Sequence, residues 1–270
     1  SWTECAPIPA LSWGARRVVT MDVSGTNAQE LWVGLRSGFA ENEKVFTSTD
    51  GGAHWINLST PVIAQAQISY IAHQLGTDGG VYVGTTMGGM YYRNHAMSDW
   101  APYAGGLPLS ISTRVLKPFY RDGKIRCGSD MGIWEAPFYE PSRPVAQISV
   151  DRTRTDCPRD TFFFSDRSVL RQDAATTWSW SFPGATYASS TTARNPKVLY
   201  SAPGVYTVSL TVNQAGLPSS QTLAGLITVE AGGCEPDTVP GLAVSLGGNA
   251  DPGLVEVPPL GIRTNSFTFS

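Results

Sequence analysis

Between Arg17 and Phe138 the sequence returns three times to the same order of short apolar strands, a pattern that few folds can absorb. The first copy reads RVVTMDV from Arg17, LWVGL from Leu31, VFTS from Val45 and then His54-Trp55-Ile56-Asn57-Leu58. The second reads QISYIAH from Gln67, GVYVGTT from Gly80, GMYYRN from Gly89 and Asp99-Trp100. The third gives RVLKPFY from Arg114, KIRCGSD from Lys124 and GIWEAPF from Gly132, and loses its fourth strand at Pro141. Runs this short, separated by Gly, Asn and Asp, are strands joined by tight turns. A unit of four strands recurring at about 45 residues predicts a series of small sheets, one per copy.

Composition agrees with an all-β chain. Hydrophobic residues make up 41%, enough for a buried core, while charged residues are only 15%, against roughly 25% in an average globular domain. The formal net charge is −3, and no basic block or face is present, so no nucleic-acid partner is expected. No apolar run reaches the length of a membrane span. The chain opens Ser-Trp-Thr-Glu, without an initiator Met or a signal peptide; an export signal is expected to have been removed or to lie outside this sequence. The cysteines Cys5, Cys127, Cys157 and Cys234 form no Cys-x-x-Cys pair and the three histidines are scattered, so neither a metal nor another cofactor is expected. Widely spaced cysteines fit occasional disulfides in an oxidising compartment, and also buried free thiols.

The turn before the fourth strand carries the most specific motif. Ser48-Thr49-Asp50-Gly51-Gly52-Ala53-His54-Trp55 fits S-x-D-x-G-x-x-W and resembles the Asp-box, or BNR repeat. In the second copy Arg93 and His95 stand in place of Ser and Asp, but Trp100 keeps the same offset. The resemblance implies that residues 1–140 are part of a β-propeller like those of sialidases, some glucanases and sortilin-like receptors. It also implies that Ser48, Asp50, Gly52 and Trp55 build a structural turn rather than a catalytic centre. Asp and Ser side chains can bond their own turn, and Gly allows positive φ. Trp2 lies about one interval before Trp55, so the chain is expected to begin in an earlier blade and to hold two and a half to three blades. Propellers need four or more, and the remainder is expected in other domains of a longer chain.

A Pro-rich linker is placed at 141–144, and short alternating strands over 145–231 predict a β-sandwich. Trp178-Ser179-Trp180-Ser181-Phe182-Pro183-Gly184 and Asn195-Pro196, followed by Tyr200, Gly204, Tyr206, Val208, Leu210 and Val212, resemble the signature of PKD domains, which are immunoglobulin-like sandwiches. The resemblance places Trp180 in the core, with Phe182, Asn195, Pro196, Tyr200, Gly204 and Tyr206 as the conserved pattern of that family. Pro183 departs from the usual Gly-Asp turn and puts any carboxylate role there in doubt. In that topology Cys157 and Cys234 share a pole, which implies a disulfide between them and leaves Cys5 and Cys127 over. Residues 232–270, with LAVSLGG, LVEVPPLGI and NSFTFS, resemble the opening of a laminin-G or concanavalin-like jelly roll.

Taken in series, these modules resemble large bacterial surface proteins, many exported by the type IX pathway. The expected role is that of a non-catalytic binding or spacer segment of a secreted or cell-surface adhesin, with a glycan or surface protein as ligand and the secretion machinery as a further partner. Exposed aromatics such as Tyr91, Tyr92 and Trp134 are weighed as ligand contacts against core positions. Two alternatives stand beside this reading: an ordered fragment of a secretion cargo or surface assembly, and the end of a propeller glycoside hydrolase. A hydrolase needs two acids across a cleft, for which Asp22, Asp130 and Glu135 are the candidates. A sialidase needs an arginine cluster, which Arg16, Arg17 and Arg36 would have to supply. No spacing pairs any of them, so no catalytic residue is assigned.

Overall fold

The computed structural model describes residues 5–8, 17–36 and 42–232. The expected jelly-roll start therefore lies outside the described residues, apart from Gly232. Three sheets follow one another in the first half. The first consists of β1 (Arg17–Val23), β2 (Leu31–Arg36), β3 (Val45–Ser48) and β4 (Ile56–Asn57), paired in chain order. The second repeats this with β5 (Ile68–His73), β6 (Val81–Thr85), β7 (Met90–Arg93) and β8 (Ala101–Pro102). The third has only β9 (Thr113–Phe119), β10 (Lys124–Ser129) and β11 (Gly132–Pro137).

The repeat extends to single positions. Gly34 faces Val45, Gly84 faces Met90 and Gly128 faces Ile133 across their ladders. In each sheet the register of the first pair slips beside that glycine, a β-bulge that bends the first strand. The glycine is required for packing: a Cβ on Gly34 would lie 2.7 Å from Ile68 of the next sheet, and one on Gly84 2.4 Å from Thr113. Side chains stitch neighbouring sheets together. Ile71 N donates to Thr20 Oγ1 at 3.1 Å, His73 N to Asp22 Oδ2 at 2.7 Å and Leu75 N to Tyr120 Oη at 2.9 Å.

The fourth strands fall one or two residues later than the sequence suggests. Trp55 and Trp100 are not ladder residues. They precede the paired residues and turn inward, and Trp100 is 3% exposed. Each indole Nε1 donates to a carbonyl oxygen: Trp55 to Ala6 at 3.0 Å and Trp100 to Leu58 at 2.8 Å. A large ring with its single donor satisfied gains by being buried.

The second half is a sandwich of two four-stranded sheets. Here the strands are β12 (Ile148–Val150), β13 (Arg154–Thr155), β14 (Thr161–Asp166), β15 (Thr176–Ser181), β16 (Tyr187–Ala188), β17 (Lys197–Leu199), β18 (Gly204–Gln214) and β19 (Leu217–Val229). One sheet runs β12-β14-β17-β16 and the other β13-β19-β18-β15. Between them lie Phe162, Phe164, Trp180, Val198, Tyr200, Val208, Leu210, Val212 and Ile227. The alternation read from the sequence places these residues, since every second side chain of β18 points inward.

Candidate functional site

The turn from Ser48 to Trp55 closes on itself. Ser48 Oγ donates to Asp50 Oδ1 at 2.8 Å and accepts from Gly52 N at 2.8 Å. Asp50 Oδ1 accepts from His54 N at 2.9 Å, and Oδ2 lies 2.6 Å from His54 Nδ1. Gly51 and Gly52 take φ of 72° and 89°, where a side chain would be strained. The His54 hydrogen bonds, with that of Ser48, hold the Asp50 carboxyl below its ordinary range. An ionised, internally bonded carboxylate is a turn brace and has no proton to give at neutral pH.

The other acids are engaged in the same way. Asp22 bonds the backbone of Val23 and His73, and Asp130 Oδ1 accepts from Ser112 N at 2.7 Å. Glu135 pairs with Lys124 and Arg126 on an open sheet face, and those partners lower its carboxyl. Each of the three is held by its own set of partners. Arg17 and Arg36 are cross-strand neighbours on exposed backbone, and Arg16 lies outside the described residues. Tyr92 is fully buried, while Tyr91 and Trp134 pack against the cores between sheets. These aromatics pack within and between the sheets.

The structure builds a dense polar site elsewhere, where the chain leaves the third sheet for the sandwich. Glu140 Oε1 accepts from Tyr92 Oη at 2.6 Å, and both carboxylate oxygens accept from Asn94 Nδ2 at 3.2 Å. Gln74 Nε2 donates to the Glu140 carbonyl at 2.7 Å and to Ser142 Oγ at 2.8 Å. Tyr82 Oη donates to Gln74 Oε1 at 2.9 Å and accepts from Tyr139 N at 2.7 Å. Tyr139 stacks on Tyr92 with centroids 4.5 Å apart. Arg143 N bonds Gly76 O at 2.8 Å. Burial raises both phenols, Tyr82 and Tyr92, so they stay neutral donors at any physiological pH. A second contact joins Arg121 and Gln172 through Arg121 Nη2 to Gln172 Oε1 at 2.7 Å and Gln172 N to Arg121 O at 3.0 Å. Within the segment placed as a linker, Ser142 and Arg143 are thus bonded to the chain that follows β5. Sequence reading missed Gln74, Tyr82 and Glu140, which meet only after folding.

In the sandwich, Trp180 Nε1 donates to Ala193 O at 3.0 Å, and its ring stacks on Phe182 with centroids 5.6 Å apart. Asn195 Oδ1 accepts from Asp166 N at 3.2 Å, and Pro196 O accepts from Phe164 N at 3.0 Å. Tyr200 and Tyr206 stack at 4.2 Å, beside Gly204. Burial pushes the Tyr200 phenol up to about 12. All of these residues hold the fold. A residue not singled out from sequence, Asp166, is the hub: its carboxylate is fully buried and binds Trp178 Nε1 at 3.0 Å, Ser168 N at 2.9 Å and Arg194 Nε at 3.3 Å. Cys5 and Cys127 are free thiols, and burial raises that of Cys127. Cys157 is disulfide-bonded, and Cys234, the partner expected from the resemblance, lies outside the described residues.

Residues 141–226 match the family model of the PKD domain. The second half is therefore a PKD domain, an immunoglobulin-like sandwich in an all-β chain. No curated protein matches the chain. Among solved structures, the PKD1 domain of Vibrio anguillarum Epp is 28% identical over 34% of this chain and 98% of its own, with a TM-score of 0.26. The extracellular domain of a putative one-component system from B. thetaiotaomicron is 14% identical over 78% of this chain, with a TM-score of 0.32. YCF48 from Cyanidioschyzon merolae is 12% identical over 57%, with a TM-score of 0.33. The chain spans 31% of the B. thetaiotaomicron domain and 54% of YCF48.

Proposed function

We propose that this chain is a binding and spacer segment of a larger secreted or cell-surface protein. Its three sheets are read as blades of an Asp-box propeller whose other blades lie elsewhere, and its PKD domain as a stiff extension that holds neighbouring modules at a set distance. The polar junction around Glu140 carries this reading, because a spacer that must hold a distance cannot hinge where its modules meet. Asp22, Asp50, Asp130 and Glu135 are engaged as turn braces or ion pairs, which favours recognition over hydrolysis. A glycan or a surface protein is the proposed ligand class, contacted by loops and carried outside the cell.

The stiffness is testable with spin labels at Leu109→Cys and Tyr187→Cys in a Cys5→Ser background. Both positions are exposed and lie in different halves. A single narrow distance distribution is expected. A broad one would show a free hinge and remove the spacer reading.

A further inference from the structure

The two interfaces between the three sheets can be compared position by position. At the first, the Trp100 ring is buried among Val45, Leu58, Ile63, Val81, Val83 and Tyr91. Ladder positions and turn bonds carry these residues over to the second. Val45 and Tyr91 correspond to Met90 and Trp134, and Val81 and Val83 to Ile125 and Cys127. Leu58 N bonds Val45 O as Tyr103 N bonds Met90 O, and Ile63 N bonds Thr60 O as Leu107 N bonds Ala104 O. At the second interface, therefore, the positions that enclose an aromatic ring at the first bring in two sulfur atoms and an indole N–H.

These six residues, Met90 to Trp134, line a cleft of about 130 Å³. A cavity of roughly 150 Å³ with an apolar lining takes up benzene, so the volume suits a single ring. The Met90 thioether and the Cys127 thiol are favourable neighbours for such a ring. Trp134 Nε1 is shielded from solvent and has no hydrogen-bond partner among the described residues. A shielded donor without an acceptor is costly, and an acceptor on a bound molecule relieves that cost. Burial raises the Cys127 thiol, which keeps it neutral and leaves it a packing group rather than a nucleophile.

We propose that this cleft is a binding site for a small, neutral aromatic molecule, whose ring packs against the sulfur and aliphatic side chains while its carbonyl oxygen accepts from Trp134 Nε1. Neutrality follows from the lining. Apolar walls disfavour a charged group, and Glu135, which also borders the cleft and is paired with Lys124 and Arg126, repels an anion. Gly105 and Gly106 border it too, and a Cβ on either would meet nothing within 4 Å, which leaves room for the molecule to enter. An apolar pocket with one placed polar group is the usual make-up of a small-molecule site. The site lies apart from the Asp50 turn, and the proposal does not rest on the extracellular reading.

The probes are acetophenone and α-methylstyrene, which has the same shape with a methylene in place of the carbonyl oxygen. Nitrogen-15 NMR of the full chain follows the Trp134 indole N–H, assigned by its loss in Trp134→Phe. Acetophenone is expected to move this resonance along a saturable curve, and α-methylstyrene to bind about tenfold more weakly. Trp134→Phe keeps a ring in the wall and removes the donor, so it should bind the two probes alike. Gly105→Phe fills the cleft from a position with open space around it and is expected to abolish binding of both while the melting curve is kept. No saturable shift at Trp134, equal binding of the two probes by the unaltered chain, or undiminished binding by Gly105→Phe would each overturn the proposal. So would a nuclear Overhauser contact, before any probe is added, from the Trp134 indole N–H to a side chain outside residues 17–232, because the chain would then fill the cleft itself.

Discussion

The two halves of this protein solve the same problem, burying the faces of short β-sheets, by different means. The PKD sandwich closes two sheets on one continuous aromatic and aliphatic core, with Trp180 stacked on Phe182 and tilted against Phe164. The three sheets of the first half share no common core. Each of the two interfaces has its own cluster, one around Trp32 and Trp100 and one around Tyr82 and Tyr92, and a further cluster gathers Phe46 of the first sheet with Ile8 and Trp55. A closed core loses stability as a unit. Stacked sheets depend on their neighbours one interface at a time, as repeat arrays do.

The contrast can be broken most forcefully at Trp180. Trp180→Ala removes the central ring of the sandwich and is expected to cost about 3–5 kcal/mol. Denaturant titration should then show the sandwich unfolding early while the sheets keep their own transition. A single shifted transition would mean that the junction makes the halves one cooperative body.

Acid sharpens the comparison, because only the stacked half buries a histidine. His73 lies under Trp32, with centroids 4.8 Å apart. Burial depresses its imidazole from 6.5 to about 4; Asp22 opposes the shift and His95 adds to it. Between those values the unfolded chain binds a proton that the folded chain refuses. The stability is therefore complete above about pH 6.5 and falls as the pH drops toward 4, by on the order of 3 kcal/mol. Melting curves across this window should move for the sheets and not for the sandwich, and His73→Phe should flatten them.

Smaller effects test the joints. Gly84→Ala pushes a Cβ against Thr113 and is expected to cost about 1–3 kcal/mol by overpacking, whereas Gly132→Ala, with nothing within 4 Å, is penalised only by its φ of 109°. Glu140→Ala leaves Tyr92 Oη without its acceptor and should cost about 1–3 kcal/mol. It should also widen the spin-label distance distribution across the junction. Asp50→Ala loosens an exposed turn, and its effect on the denaturation midpoint should be the least of these.

What could be read from the sequence follows the same division. Strand positions, the turn around Asp50 and the sandwich pattern were legible because each rests on neighbours in sequence: alternation, glycine in a turn, a short motif. The inward placement of Trp55 and Trp100 was not, because a sequence gives a tryptophan's size but not which side of a sheet end it takes. The equivalence of Gly34, Gly84 and Gly128 was hidden too, since a glycine required by the next sheet looks like any turn glycine. The Glu140 site joins residues from three elements, with Gln74 and Glu140 separated by 66 positions. Only the folded chain brings them within bonding distance.

The pairing of β13 with β19 has a mechanical consequence. These strands run parallel, Arg154 beside Thr228 and Thr155 beside Val229. Thr228 N bonds Thr153 O, Glu230 N bonds Thr155 O, and an ion pair joins Arg154 to Glu230. The chain enters the sandwich through β12, crosses to β13 in the other sheet and leaves along β19. Tension between the two ends pulls these neighbours in opposite directions along their own axes. Their hydrogen bonds then resist together as a shear patch and cannot be opened one by one like a zip, so a chain pulled past β12 meets its resistance where β13 lies along β19.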